Sequence, residues 1–225
     1  DNDARMQQIL KDGLAFKPLL SPQGLYYANA GSGAQDFGKQ KHAPQLVPLF
    51  HIPCDPYPNQ PTKIAHTLRY EITNGAQKPL FSGHTLGEFL LSTARMHDVQ
   101  GWQKDWSGAL PADCVDPDWI QFYESSRKHI PFYITTHALF AQAMLETVVS
   151  TWWGRLDLST CVPWEGTVRF GNVRTLLGVT VDGQITNGKG KAILRAFRDT
   201  SFECQNRKIA MKKDQQTTVA IVTNN

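Results

Sequence analysis

His137 and Glu146 bring together an imidazole and a carboxylate, the pair of side chains best suited to moving a proton, nine residues apart in one apolar run, HALFAQAMLETVVSTWW. If that run is a helix, about 13 Å of axial rise separates them, so they cannot hydrogen-bond each other directly. Either residue could serve as general base in a hydrolase. His129 lies upstream, but Pro131 stands between the two histidines, and ligand pairs on helices are three or four residues apart. No metal site and no cofactor is expected.

A second group of residues is cationic. KAILRAFRD puts Lys191, Arg195 and Phe197 on one strand face, and Arg169 and Arg174 on neighbouring segments widen the patch. Cations beside an aromatic ring hold single-stranded nucleic acid by phosphate attraction and stacking. The net charge of +3 conceals this bias: from Lys189 to Asp214 there are eight Lys or Arg against three Asp or Glu, which leaves the remainder net acidic.

Other fragments match reactive motifs only by letter. In HIPCDPYP, the prolines extend the backbone and point His51 away from Cys54. AGSGA around Ser32 lacks the strand-turn-helix context of a nucleophile elbow. SSRK, from Ser125 to Lys128, has no companion motif, and NGKGK is explained by a hairpin turn.

The elements that must hold these residues follow from periodicity. ARMQQILK reads as a short helix, and the Gly- and Pro-rich residues up to about 63 as a loop-rich layer. IAHTLRYEI alternates like a strand. In SGHTLGEFLLSTARMHD, Thr85 and Glu88 fit a capping box, and Leu86, Phe89, Leu90 and Thr93 form one stripe. Residues 101–118 read as a loop burying Trp102 and Trp106, and residues 118–129 as a helix. Thr136 fits the N-cap of a long helix, about 137–153, ended by Gly154. Apart from a narrow stripe of Gln142, Glu146 and Ser150, it is apolar all round and should be enclosed. VRTLLGVTV, KAILRAFRD, RKIAMKK and TTVAIVT then alternate as strands, with TVRF before them, and DGQITNGKG supplies a turn.

Composition bounds the classes. The chain has 225 residues, 41% hydrophobic and 19% charged, a balance that folds and is far from the disordered class. Cys54, Cys114, Cys161 and Cys204 lie far apart without a CxxC pair, which argues against a zinc ribbon; their even number allows two long-range disulfides, and four buried thiols are the leading expectation in a chain this large. No run approaches the roughly 20 uninterrupted apolar residues of a membrane span. The start, DNDARMQQIL, has neither a basic leader nor an initiating Met, as expected of a chain whose upstream part has been removed. Neither an oxidising nor a reducing compartment is excluded.

The expected fold is therefore α+β: one domain over 1–225, with residues 1–63 as a loop-rich layer. In the core, 64–225, a long, mostly buried helix at about 137–153 packs on a C-terminal antiparallel sheet. That layout resembles the hotdog enzymes, which act on acyl thioesters, and the resemblance implies His137 or Glu146 as base. Six tryptophans, with Trp152 and Trp153 in tandem, favour a contact surface instead. The leading expectation is a non-catalytic binding or assembly component of a larger complex, joined to a protein partner or to its own copies. Nucleic-acid binding through the basic sheet and an enzyme using His137 and Glu146 are the alternatives.

Overall fold

A computed structural model of the chain describes residues 2–12, 83–109, 114–118, 120–123, 134–151, 154–159, 161–163 and 165–222. The loop-rich first quarter, the strand expected at 64–72, the motifs at Ser32, Cys54 and Ser125, His129 and the Trp152–Trp153 pair lie outside the described residues. The described chain is α+β. The helices are α1 (Asn2–Asp12), α2 (Gly83–Arg95), α3 (Val99–Gly108) and α4 (Ile134–Glu146). The strands are β1 (Val149–Ser150), β2 (Asp157–Leu158), β3 (Thr167–Arg174), β4 (Val179–Thr186), β5 (Lys189–Ala196), β6 (Thr200–Cys204), β7 (Arg207–Met211) and β8 (Gln216–Val222). None of these helices is long and apolar enough to cross a membrane.

The enclosed helix is α2, not the one expected at 137–153. All of its residues except His84 are buried. Leu86, Phe89, Leu90, Leu91 and Ala94 supply the apolar bulk, while Thr93 turns its hydroxyl back onto the carbonyls of Phe89 and Leu90, at 2.8 and 2.9 Å. Gly87 lets α4 come close, since a Cβ there would lie 2.8 Å from the Leu139 Cβ. α2 ends in a Schellman motif: the Asp98 amide reaches back to the Thr93 carbonyl (3.0 Å) and that of His97 to Ala94 (3.1 Å). His97 takes the left-handed position, φ +58°, where glycine is usual.

Residues expected to form a loop after 101 instead open with α3. Asp98 caps it, its carboxylate accepting from the Gly101 amide at 2.8 Å, and this local signal restarts a helix immediately after α2 stops. Trp102 is buried in α3 and stacks on Trp106, with centroids 4.9 Å apart. The helix expected at 118–129 is absent from its described part: Phe122 forms an isolated bridge with Val115, and Asp116 ties the turn by accepting from the amides of Ile120 and Gln121.

α4 starts at Ile134, ahead of the Thr136 cap expected from sequence, and stops at Glu146, well short of 153. Thr147, Val148 and Val149 are β-branched, stiff at χ1 and better suited to extended chain. The Thr147 hydroxyl also caps the Met144 carbonyl at 2.7 Å. The chain then passes into β1. Only Thr136, Phe140, Ala143 and Glu146 of α4 are buried, and the helix lies chiefly against α2, not on the C-terminal sheet.

At the end of α4, Glu146 meets Arg95 from the end of α2. Arg95 Nε and Nη2 bind the two carboxylate oxygens at 2.6 and 2.5 Å, Gln142 Nε2 donates at 2.8 Å, and Ser150 Oγ of β1 donates at 3.3 Å. Arg95 is fully enclosed. The polar stripe read from the sequence is thus the acceptor side of a buried ion pair joining two helices and a strand.

The C-terminal half forms a four-stranded antiparallel sheet, ordered β3-β4-β5-β8, and a separate β6-β7 hairpin. VRTLLGVTV is not one strand: Thr175 to Gly178 turn β3 into β4, and Leu176 projects at 87% exposure. The Asn187–Gly188 turn has φ values of 49° and 76°, the primed geometry that suits a twisted hairpin, and it sets the β4–β5 register. β6 went unread in the sequence. Val179, Val181, Ile185, Ala192, Leu194, Ala196 and Ile221 bury one face of the sheet, with Phe202, Cys204 and Met211 of the hairpin in the same cluster. A second cluster gathers α2, α3 and α4 around Leu90, Trp102 and Phe140.

Removing one partner of the buried pair should cost more than removing both. Arg95→Met leaves a carboxylate without its counter-ion and is expected to cost about 3–5 kcal/mol in urea unfolding, and Arg95→Met with Glu146→Leu to recover most of that loss.

Candidate functional site

The structure gives His137 and Glu146 separate structural partners and does not bring them together. His137 Nε2 accepts the Phe122 amide at 3.2 Å, and the Phe122 ring meets the imidazole edge-on at 5.2 Å. That bond places the proton of the neutral ring on Nδ1 and docks the 114–123 turn on α4. Both oxygens of Glu146 are held by Arg95.

The cationic residues, in contrast, are brought together. Arg169 stands opposite Gln184 and Gln184 opposite Lys191, while Arg174 stands opposite Thr180 and Thr180 opposite Arg195. Strand alternation puts Arg169, Arg174, Lys191 and Arg195 on the face away from the core, where all four are exposed. Lys189 shares that face. Neighbours fix the guanidiniums: Arg169 Nε donates to Gln184 Oε1 at 2.9 Å, Arg195 Nε donates to Gln216 Oε1 at 3.2 Å, and Arg195 Nη1 pairs with Asp182. Arg174 lies over the Phe197 ring, 4.4 Å from its centroid. Five cations and one carboxylate make this face electropositive, with a stacked Arg–Phe pair at one end.

A second feature lies where β7 and β8 diverge. They are consecutive and joined by a short turn, yet β8 pairs with β5 and β7 with β6. The cleft between them has a volume of about 750 Å³. It is lined by Arg207 to Ile209 of β7 and Thr217 to Ala220 of β8, together with His97, Arg155, Asp157, Ser159 and Cys204. Arg155 Nε holds both oxygens of Asp157, at 3.0 and 3.1 Å. Ser159 is 1% exposed with φ +57°; its amide bonds the Val148 carbonyl at 2.8 Å, and its hydroxyl has no partner among the described residues.

Burial holds His97 below the ordinary histidine value, opposed by Asp157 and reinforced by Arg155. Burial, aided by Asp157, pushes the Cys204 thiol up to about 11, so it stays protonated at neutral pH and is a poor nucleophile. Cys161 and Cys204 are buried free thiols, and Cys114 is buried as well. Among the described residues, no group of three or more His, Cys, Asp and Glu is placed to hold a metal ion.

Sequence reasoning found the face and missed the cleft. The face follows from alternation within single strands. The cleft joins residues from four separate segments, and its one local signal is the Gln205–Asn206 turn, left-handed at both positions. The chain matches no protein-family model and no curated protein.

Two outcomes test this description. Because His97 titrates below 6.5, the unfolded chain binds its proton first, and the native state loses stability as pH falls through 6.5. His97→Asn, which tolerates the left-handed backbone, should shrink the drop in melting temperature between about pH 7.5 and about pH 5.5. Cys161, pushed by burial to about 12, and Cys204 should resist iodoacetamide in native protein and react fully in urea, as mass spectrometry would show.

Proposed function

We propose that this chain is a non-catalytic binding component of a larger assembly, and that the exposed face of its four-stranded sheet takes single-stranded nucleic acid. The observation that carries this reading is the gathering of Arg169, Arg174, Lys189, Lys191 and Arg195 on one side of a rigid sheet against Asp182 alone. Phosphates supply most of the affinity in such binding, and the Arg174 guanidinium stacked on Phe197 offers a flat surface that a base can continue. Gln184 and Gln216 hold two of the guanidiniums in place beforehand, which lowers the ordering cost of binding. Catalysis is less well supported, because the Glu146 carboxylate is engaged by Arg95 and the Cys204 thiol is held protonated.

A labelled oligouridine of about twenty nucleotides, followed by fluorescence anisotropy, tests the reading. With about four phosphates neutralised, affinity should fall roughly fifty-fold between about 50 and about 200 mM salt. Arg169→Gln with Lys191→Gln should weaken binding and reduce the salt slope by roughly 0.7 per lost charge, with the melting temperature unchanged. No binding at the lower salt would end the proposal.

A further inference from the structure

The cleft between β7 and β8 holds none of the cations of the basic sheet face and calls for a different ligand. Its walls are made of consecutive residues, Arg207 to Ile209 and Thr217 to Ala220. Side chains alternate across a strand, so a wall of consecutive residues is a strand edge, with backbone N–H and C=O groups in reach. Among the described residues, β7 pairs only with β6 and β8 only with β5, which leaves the edges that face each other open. No Phe, Tyr or Trp is among the described residues that line the cleft, so it lacks the broad aromatic platform that single-stranded nucleic-acid sites use.

Charge and burial define what else enters. Arg155, Arg207 and Lys208 stand around the cleft against Asp157, and Arg155 holds that carboxylate through Nε, which leaves its Nη groups for a second anion. Beside them lies the Ser159 hydroxyl, enclosed and without a partner, a buried donor whose desolvation nothing in the described structure offsets. His97 and Ser159 both hold left-handed backbone that glycine would adopt more easily, and such residues concentrate at binding sites.

We propose that the cleft receives an extended acidic segment of a partner protein, which adds as a strand to the open edge of β8 while one of its carboxylates is taken by Arg155 and Ser159. The backbone of the segment supplies the hydrogen bonds that β8 lacks on that side, and the cations select its charge.

The probe is a labelled decapeptide of alternating Glu and Thr, compared with one of alternating Lys and Thr. The Glu peptide should bind, the Lys peptide should not, and hydrogen exchange should show new protection at 207–209 and 217–220. Arg155→Gln with Arg207→Gln should weaken binding about tenfold or more. Ser159→Ala should leave the free protein as stable or more stable yet bind the peptide more weakly, a combination that a purely structural serine would not give. Arg169→Gln with Lys191→Gln should leave peptide binding unchanged, which separates this site from the nucleic-acid face. Equal binding of both peptides, binding of neither, protection elsewhere, or displacement of the Glu peptide by oligouridine would each overturn the proposal.

Discussion

The Arg95–Glu146 ion pair fixes where everything else can be. Taking a guanidinium and a carboxylate out of water costs several kcal/mol per ion, a cost offset only when geometry is good and the remaining oxygen sites are filled. Here they are filled, by Gln142 from within α4 and by Ser150 from β1. The pair brings the C-terminal ends of α2 and α4 to one point and attaches the first strand there. Two residues beyond Arg95 the Schellman turn delivers His97 to the cleft, while β1 pairs with β2 and places Asp157 opposite Ser150. One interaction in the helical layer thus positions polar groups that line the cleft beside the sheet.

The opening between β7 and β8 has an equally local cause. A short turn between consecutive antiparallel strands ordinarily closes a hairpin. Here β6 is drawn elsewhere: the Leu156 amide donates to the Glu203 carbonyl at 2.7 Å, and Leu156 bridges Cys204 in parallel. β7 follows β6 because the two are paired along their length, so the hairpin leaves the sheet and β8 keeps a side that no other described strand pairs with. The buried side chains of Phe202, Cys204 and Met211 hold it in that position.

What was legible in the sequence was what depends on short-range pattern. Alternation in KAILRAFRD and TTVAIVT, and the Asn187–Gly188 turn, located β5, β8 and the β4–β5 hairpin, and with them the shared face of Arg169, Arg174, Lys191 and Arg195. The helices were harder to read. The apolar run from His137 to Trp153 has helical composition throughout, yet Thr147 to Val149 disfavour helix, and the chain turns at Thr147 and Val148 into β1. α2 looked amphipathic because Gly, Ser and Thr count as polar, although small residues are what lets a helix be surrounded. α3 was hidden by its glycines, although Asp98 was a sufficient start signal. The cleft could not be read at all, since no local pattern relates His97, Ser159 and Arg207.

The two edges of the sheet are built differently. β3 carries Arg169 and Arg174, and its pairing is interrupted between Phe170 and Val173, features that discourage another strand from joining. β8, QTTVAIV, has neither charge nor proline, and β-branched residues dominate it, the composition from which fibrils and domain-swapped dimers nucleate. Left bare, such an edge is a sticky seam, and anything that covered it would also act as a chaperone for solubility. Chains with that edge bare would be the first to precipitate.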